Sequence, residues 1–337
     1  MLDKLTLKQK ISQMFITGFQ GISPDKNFTE LLRLGLGGVI FFTHNIQKAE
    51  QFKNLIKSLA NESFIPMFFS IDEEGGRVER TENIHGGKKY LSAKYAYEKG
   101  LSFLENQTKE IALELKSYGI NMNFAPVLDV NTNKDNPIIG ERAFSDNTKE
   151  VIEATKVVLN EYKRNGIIAV GKHFPGHGAA CQDSHKTLPV IDLSYNELIN
   201  IHIKPFVEAI KLDIPAIMAA HVLYPELDNT NTPASVSQKI IKELLLKKLG
   251  FNGVVMTDDM EMNGIKGYTR FESCVKAINA GVNMFIFRNT TNEILQLIND
   301  LESAVNTNII NESLINISVQ KIKKLKYQYG IIQKSDT

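Results

Sequence analysis

Asp183 and His185 lie two residues apart in the stretch 170–189, which reads Val-Gly-Lys-His-Phe-Pro-Gly-His-Gly-Ala-Ala-Cys-Gln-Asp-Ser-His-Lys-Thr-Leu-Pro. In an extended segment, side chains at i and i+2 share a side, so the carboxylate can sit against the imidazole. That contact would fix the ring's tautomer, orient it and raise its proton affinity, as a proton-transfer device requires. A metal is the competing use of the same region, because His173, His177, Asp183 and His185 together offer enough ligand atoms. The His-x3-His spacing signals zinc on a helix, where both rings share a face. Pro175, Gly176 and Gly178 argue against a helix here. No metal or other cofactor is therefore expected. The glycines and two alanines also predict that the 176–186 segment packs loosely and opens and closes over the site.

Other charged groups stand at comparable positions. The run Gly253-Val-Val-Met-Thr257 leads straight into Asp258 and Asp259. Neighbouring residues on a strand face opposite ways, so one of these two can address a substrate and the other suits a neighbouring loop. The segment Asp72-Glu-Glu-Gly-Gly-Arg-Val-Glu-Arg80 sets two glycines among charges, a sign of tight backbone near a ligand. Asp129 reads as a strand-to-loop anchor. His221 fits either a catalytic mouth or a packed, hydrogen-bonded position within it, and Arg288 reads as a rim charge.

These groups need elements that bring them together. Short apolar runs at 14–18, 38–42, 66–71, 122–127, 167–171, 216–220, 253–257 and 284–287 read as strands. Between them lie helical patterns at 27–34, 47–60, 95–118, 148–165, 195–211, 237–249, 271–280 and 292–305, with a last amphipathic segment at 311–329. Strands alternating with helices pair in parallel through right-handed crossovers, and eight is the number that closes a (β/α)8 barrel. The expected fold is thus α/β, a TIM-like barrel of one domain over residues 1–337 with a C-terminal helix. A doubly wound sheet would carry Gly-x-Gly-x-x-Gly in its first strand-to-helix turn, and none is there.

Reactive residues of such a barrel sit just after strand C-termini. Asp72, Arg80, Arg142, Lys172, His173, Asp183 with His185, and Asp258 all fall there. The set holds a carboxylate able to act as nucleophile, an acid/base imidazole and polar arms suited to sugar hydroxyls or an amide. A retaining glycosidase needs such a set, although its usual proton donor is a second carboxylic acid.

Composition narrows the partners. With 43% hydrophobic and 23% charged residues and a formal net charge of +1, the chain is globular and has no excess charge to draw nucleic acid or an anionic membrane. Two cysteines cannot build a disulfide framework, and residues 1–10 intersperse charge with apolar side chains, unlike a secretory signal. The expected setting is cytoplasmic, and the expected partner is a small carbohydrate bound by a monomer.

Six motifs, in order, resemble glycoside hydrolase family 3. They are Asp72-x-Glu-Gly-Gly-Arg-Val-x-Arg80, Asn123-Phe-Ala-Pro-Val-Leu-Asp129, Gly140-Glu-Arg-Ala-Phe144, Lys172-His-Phe-Pro-Gly-His-Gly178, Asp183-Ser-His185 and Thr257-Asp-Asp-Met260. Within the family the chain is similar to the single-domain β-N-acetylglucosaminidases of the NagZ type, because the family's β-glucosidases draw their acid/base from an additional domain. The resemblance implies a retaining enzyme that removes terminal N-acetylglucosamine from muropeptides or chitooligosaccharides. It implies Asp258 as nucleophile, His185 as general acid/base and Asp183 as the group polarising it. Asp72, Arg80, Arg142, Lys172 and His173 would bind the N-acetylglucosamine unit. Three positions depart from the pattern: Thr257 replaces a common serine, Glu73 a common His or Gln, and Gly178-Ala-Ala a more polar stretch. Phosphate in place of water as acceptor, another β-glycosidase activity of the family, and sugar binding without catalysis are the alternatives.

Overall fold

The structure is a computed structural model, and it describes residues 4–86, 88–181, 188–265, 267–290 and 292–333. Eight parallel strands close a barrel: β1 (Phe15–Thr17), β2 (Gly38–Phe41), β3 (Phe68–Ile71), β4 (Met122–Asn123), β5 (Ile168–Phe174), β6 (Ala216–Ala219), β7 (Val254–Asp259) and β8 (Met284–Phe287). Each pairs with its sequence neighbours, and β1 pairs with β8 to complete the ring. Barrel strands are covered by side chains within and helices without, so their sequences are near-continuous apolar runs. Every residue of β1, β2, β3, β6 and β8 is buried. The (β/α)8 expectation is thereby met.

Three differences from the sequence reading matter to the site. The fifth strand does not stop at Gly171 but continues through Lys172, His173 and Phe174, all buried. The seventh runs on through Asp258 and Asp259. Strand pairing to β6 and β8 carries these polar residues on extended backbone, an effect invisible to a reading that ends a strand where hydrophobicity ends. Third, the charged segment after β3, where no strand was read, forms a small antiparallel hairpin, Glu73–Gly75 with Val78–Glu79.

The helical pattern at 95–118 is also two helices, Ala93–Glu98 and Leu101–Tyr118. Gly100 separates them with φ of 101°, a conformation that no helix contains and that a side chain would resist. The pattern at 195–211 divides into Tyr195–Glu197, a π-helical turn Leu198–His202 and Lys204–Lys211. The helix at Thr148–Asn165 matches its expected bounds, with the Asn147 side chain accepting from the Lys149 amide at 2.9 Å and Gly166 closing it in the left-handed conformation. Among the described residues, no helix is long and apolar enough to cross a membrane.

The last helix, Glu312–Gln328, bonds through Lys321 and Lys326 to Gly253, Gln13 and Pro66, which precede β7, β1 and β3 at the end of the barrel opposite the strand C-termini. It sends Lys326 fully into the interior, where Nζ donates to Gln13 Oε1 and to the Pro66 carbonyl, both at 2.7 Å. Burial pushes this ammonium down to about 7 from its ordinary value near 10.5. Between those two values the unfolded chain holds a proton the folded chain lacks, so stability rises with pH across that window and is least below about 7. In Lys326→Met this contribution is expected to disappear, so the stability difference between wild type and variant should change steadily in the wild type's favour between pH 7 and 10. Denaturant midpoints of both proteins across that range would measure it.

Candidate active site

A cavity of about 530 Å³ opens at the C-terminal ends of the barrel strands. Asp72, Arg80, Arg142, Lys172, His173 and Asp258, six of the eight site residues expected from the sequence, all line it. The other two, Asp183 and His185, lie outside the described residues.

One carboxylate organises the cationic wall. Glu74, on the first strand of the hairpin, is buried and accepts from Lys172 Nζ at 2.6 Å. Its two oxygens also meet Arg142 Nε and Nη2 at 2.8 and 2.9 Å, the two-point pairing of a guanidinium with a carboxylate. Burial opposes ionisation of Glu74, but the Arg142 guanidinium and the Lys172 ammonium outweigh it and hold the carboxyl well below the usual range. Lys172 donates as well to Asp72 Oδ1 at 2.7 Å, so it bridges two carboxylates two residues apart. The sequence reading did not single out Glu74. Its signal was the spacing: in an extended segment Asp72 and Glu74 share a side.

Asp129 anchors the histidines. Fully buried, it accepts from the His177 amide at 2.6 Å and meets His173 Nδ1 at 2.7 Å. Burial again works against its charge, and the His173 imidazole beside it more than compensates, lowering its pKa. The ring of His173 is thereby fixed with Nε2 turned towards Arg142, 3.5 Å away. The anchoring role expected for Asp129 is the one it has. His177, which also lines the cavity, is pushed down to about 4 by burial and by the nearby His173, so it is neutral at ordinary pH.

Asp258 sits near the end of β7 with Oδ1 accepting from the Asp259 amide at 2.8 Å. Burial raises its pKa, but the imidazoles of His173 and His221, the Asp259 amide and Lys172 together bring it below the ordinary value. It is an ionised carboxylate facing a polar cavity. Asp259 is committed elsewhere: its carboxylate accepts from Arg288 Nε and from the Glu261 amide. His221 is a packed histidine, bonded through Nδ1 to Ser235 at 2.6 Å and through Nε2 to the Asp259 carbonyl at 3.1 Å.

Arg80 leaves the hairpin with its guanidinium over the Phe42 ring, 5.7 Å from the centroid, and 3.9 Å from Asp72 Oδ2. Its Nε is buried without a hydrogen-bond partner, a donor available at the cavity wall. Ionised carboxylates, cations and a buried free donor around one apolar-floored cavity suit a small polyhydroxylated ligand.

The segment 176–180 corrects the expectation of loose packing. An added Cβ on Gly178 would lie 1.9 Å from the Val130 carbonyl oxygen, so the glycine marks close backbone approach. Tyr224 Oη donates to the Gly176 carbonyl, Asn136 Nδ2 to that of His177 and Asn133 Nδ2 to that of Ala180. Small residues here permit tight packing instead of preventing it; residues 182–187 lie outside the described ones.

Three comparisons bear on this geometry. The family profile for the glycosyl hydrolase family 3 N terminal domain matches residues 6–325. Beta-hexosaminidase A of Pseudoalteromonas piscicida is 34% identical over 321 residues, covering 87% of this chain and 54% of its own length. Beta-hexosaminidase of Haemophilus influenzae is 34% identical over 298 residues, covering 85% of this chain and 83% of its own. A glycoside hydrolase family 3 beta-N-acetylglucosaminidase from Paenibacillus superposes with a TM-score of 0.92 at 34% identity, over 97% of this chain and 63% of that one. The chain therefore spans little more than half of some relatives and most of others.

Proposed function

The chain belongs to glycosyl hydrolase family 3, and from that membership we propose that it is a β-N-acetylhexosaminidase releasing terminal N-acetylglucosamine with retention of configuration. The observation that carries the reading is Asp258: an ionised carboxylate next to the C-terminal residue of barrel strand β7, facing a cavity ringed by Asp72, Arg80, Arg142, Lys172 and His173. Relatives named beta-hexosaminidase and beta-N-acetylglucosaminidase support the sugar.

In the first step the Asp258 carboxylate attacks the anomeric carbon while His185, held by Asp183, gives its proton to the departing glycosidic oxygen. The product is a glycosyl ester on Asp258. Water then loses a proton to His185 and attacks the same carbon, which frees the sugar and the carboxylate. Acid/base assistance of this kind is worth about 10²–10⁴-fold. Asp72 and Arg80 would take sugar hydroxyls, with Arg142, Lys172 and His173 completing the wall. Cell-wall muropeptides or chitooligosaccharides, cleaved in the cytoplasm by a monomer of one barrel domain, are the substrates we assign.

The test is hydrolysis of a panel of chromogenic β-glucosides, β-xylosides and β-N-acetylglucosaminides, with the product anomer followed by NMR. Selective cleavage of the N-acetylglucosaminide to the β-anomer supports the reading. Release of sugar phosphate when phosphate is added, an α-anomer, or preference for a glucoside would overturn one of its parts.

A further inference from the structure

We propose that Glu73, Glu79 and His85 form a binding site for one divalent first-row metal ion of the zinc type, behind the wall of the active-site cavity. Glu73 and Glu79 are register partners across the small hairpin. Their side chains and that of His85 are almost entirely buried, and one ligand atom from each lies within 4.8 Å of the others. His85 Nε2 is 2.9 Å from Glu79 Oε1 and 3.8 Å from Glu73 Oε1. A tetrahedral zinc ion with ligands at about 2.1 Å has ligand–ligand edges of about 3.4 Å, between those two distances.

The second observation is an orphaned oxygen. Glu73 Oε2 accepts from the amides of Arg80 and Thr81 at 2.9 and 3.1 Å. Its other oxygen, Oε1, is buried and aimed into the cluster without a hydrogen-bond partner. A buried carboxylate oxygen left without a donor is costly, and an ion that accepts its lone pair removes the cost.

The surroundings of His85 suit a ligand. Nδ1 faces Glu114 Oε1 at 2.8 Å, and Glu114 is itself held by the hydroxyls of Tyr90 and Tyr118 at 2.6 and 2.8 Å. A carboxylate on one ring nitrogen fixes the tautomer that presents the other to a metal. Nε2, now 2.8 Å from the Thr81 hydroxyl and 2.9 Å from Glu79 Oε1, would give up its Thr81 contact to the ion. Two carboxylates and an imidazole are a donor set for zinc and its neighbours, whereas calcium prefers oxygen alone. Bound there, the ion would tie the two hairpin strands together where Asp72 and Arg80 leave them. The site stands on this geometry alone and does not depend on the glycosidase reading.

The full chain, stripped with chelator and dialysed against zinc chloride, is expected to retain one zinc per chain by elemental analysis, with a raised Tm. X-ray absorption should show a shell of nitrogen and oxygen including one imidazole. Glu73→Gln, which keeps an acceptor for the two amides, should fold and lose the stoichiometric zinc, as should Glu79→Gln. Glu114→Gln should bind about 10- to 100-fold more weakly. Calcium should leave Tm unchanged. No retained zinc in the wild-type chain, or equal retention in a folded Glu73→Gln chain, would overturn the proposal; the latter would place the ion elsewhere.

Discussion

Asp258→Ala is expected to lower kcat/KM on a chromogenic N-acetylglucosaminide by on the order of 10⁴-fold or more while leaving the fold intact. The magnitude follows from losing the covalent route itself rather than one aid to it. Lys172, His173 and the Asp259 amide, which now stabilise the Asp258 charge, remain in place and hold no nucleophile. Azide added to the variant should therefore restore turnover by entering the space the carboxylate leaves, giving a glycosyl azide of inverted configuration. A 2-deoxy-2-fluoro sugar trapped on the wild-type protein should add its mass at Asp258. Asp183→Ala should cost far less, because it only frees the His185 ring. Near-normal turnover in Asp258→Ala, or label on another residue, would remove the nucleophile assignment.

Glu74→Gln carries the second large effect, on stability. Glu74 neutralises two buried cations, with its side chain and that of Lys172 only 2–3% exposed. Removing its charge leaves Arg142 and Lys172 facing each other with Asp129 and Asp72 as the nearby anions that remain. Breaking a buried pair in this way costs roughly 3–5 kcal/mol. The folded carboxyl is held below its unfolded value near 4.5, so its stabilisation is complete above that pH and is lost as acid carries the protein below it. Urea unfolding at pH 7 should show the full loss, and the gap between wild type and variant should narrow below pH 4. Because Arg142 and Lys172 line the cavity proposed for the sugar, KM should rise more than kcat falls. A variant as stable as wild type would show that the cations find other partners.

How much was legible in the sequence varies from residue to residue. Asp258 was readable because a buried apolar strand ends in it, and a strand end in this fold is a cavity wall. Lys172 and His173 were placed correctly at the mouth but on a loop, since polarity was read as the end of the strand; in the structure they are inside β5. Glu74 was overlooked within a run of charges where composition gives every carboxylate equal weight. Glu73 was read only as a departure from the family pattern; it lies outside the cavity lining, in a buried cluster with Glu79 and His85 that no motif links. Gly178 and its neighbours were taken as slack because small side chains pack little; pressed against Val130, they are tight.

The order of apolar runs and helical patterns determined by itself that the protein is an eight-stranded parallel barrel, and which strand ends carry reactive groups. That is local information: periodicity and strand count need no knowledge of what touches what. Only the tertiary structure decided which charges pair. Residues 74, 142 and 172 come from three different strand ends, and no spacing along the chain encodes that one carboxylate will hold two of the cations. Coulombic interaction depends on distance and burial, both of which exist only once the barrel has closed.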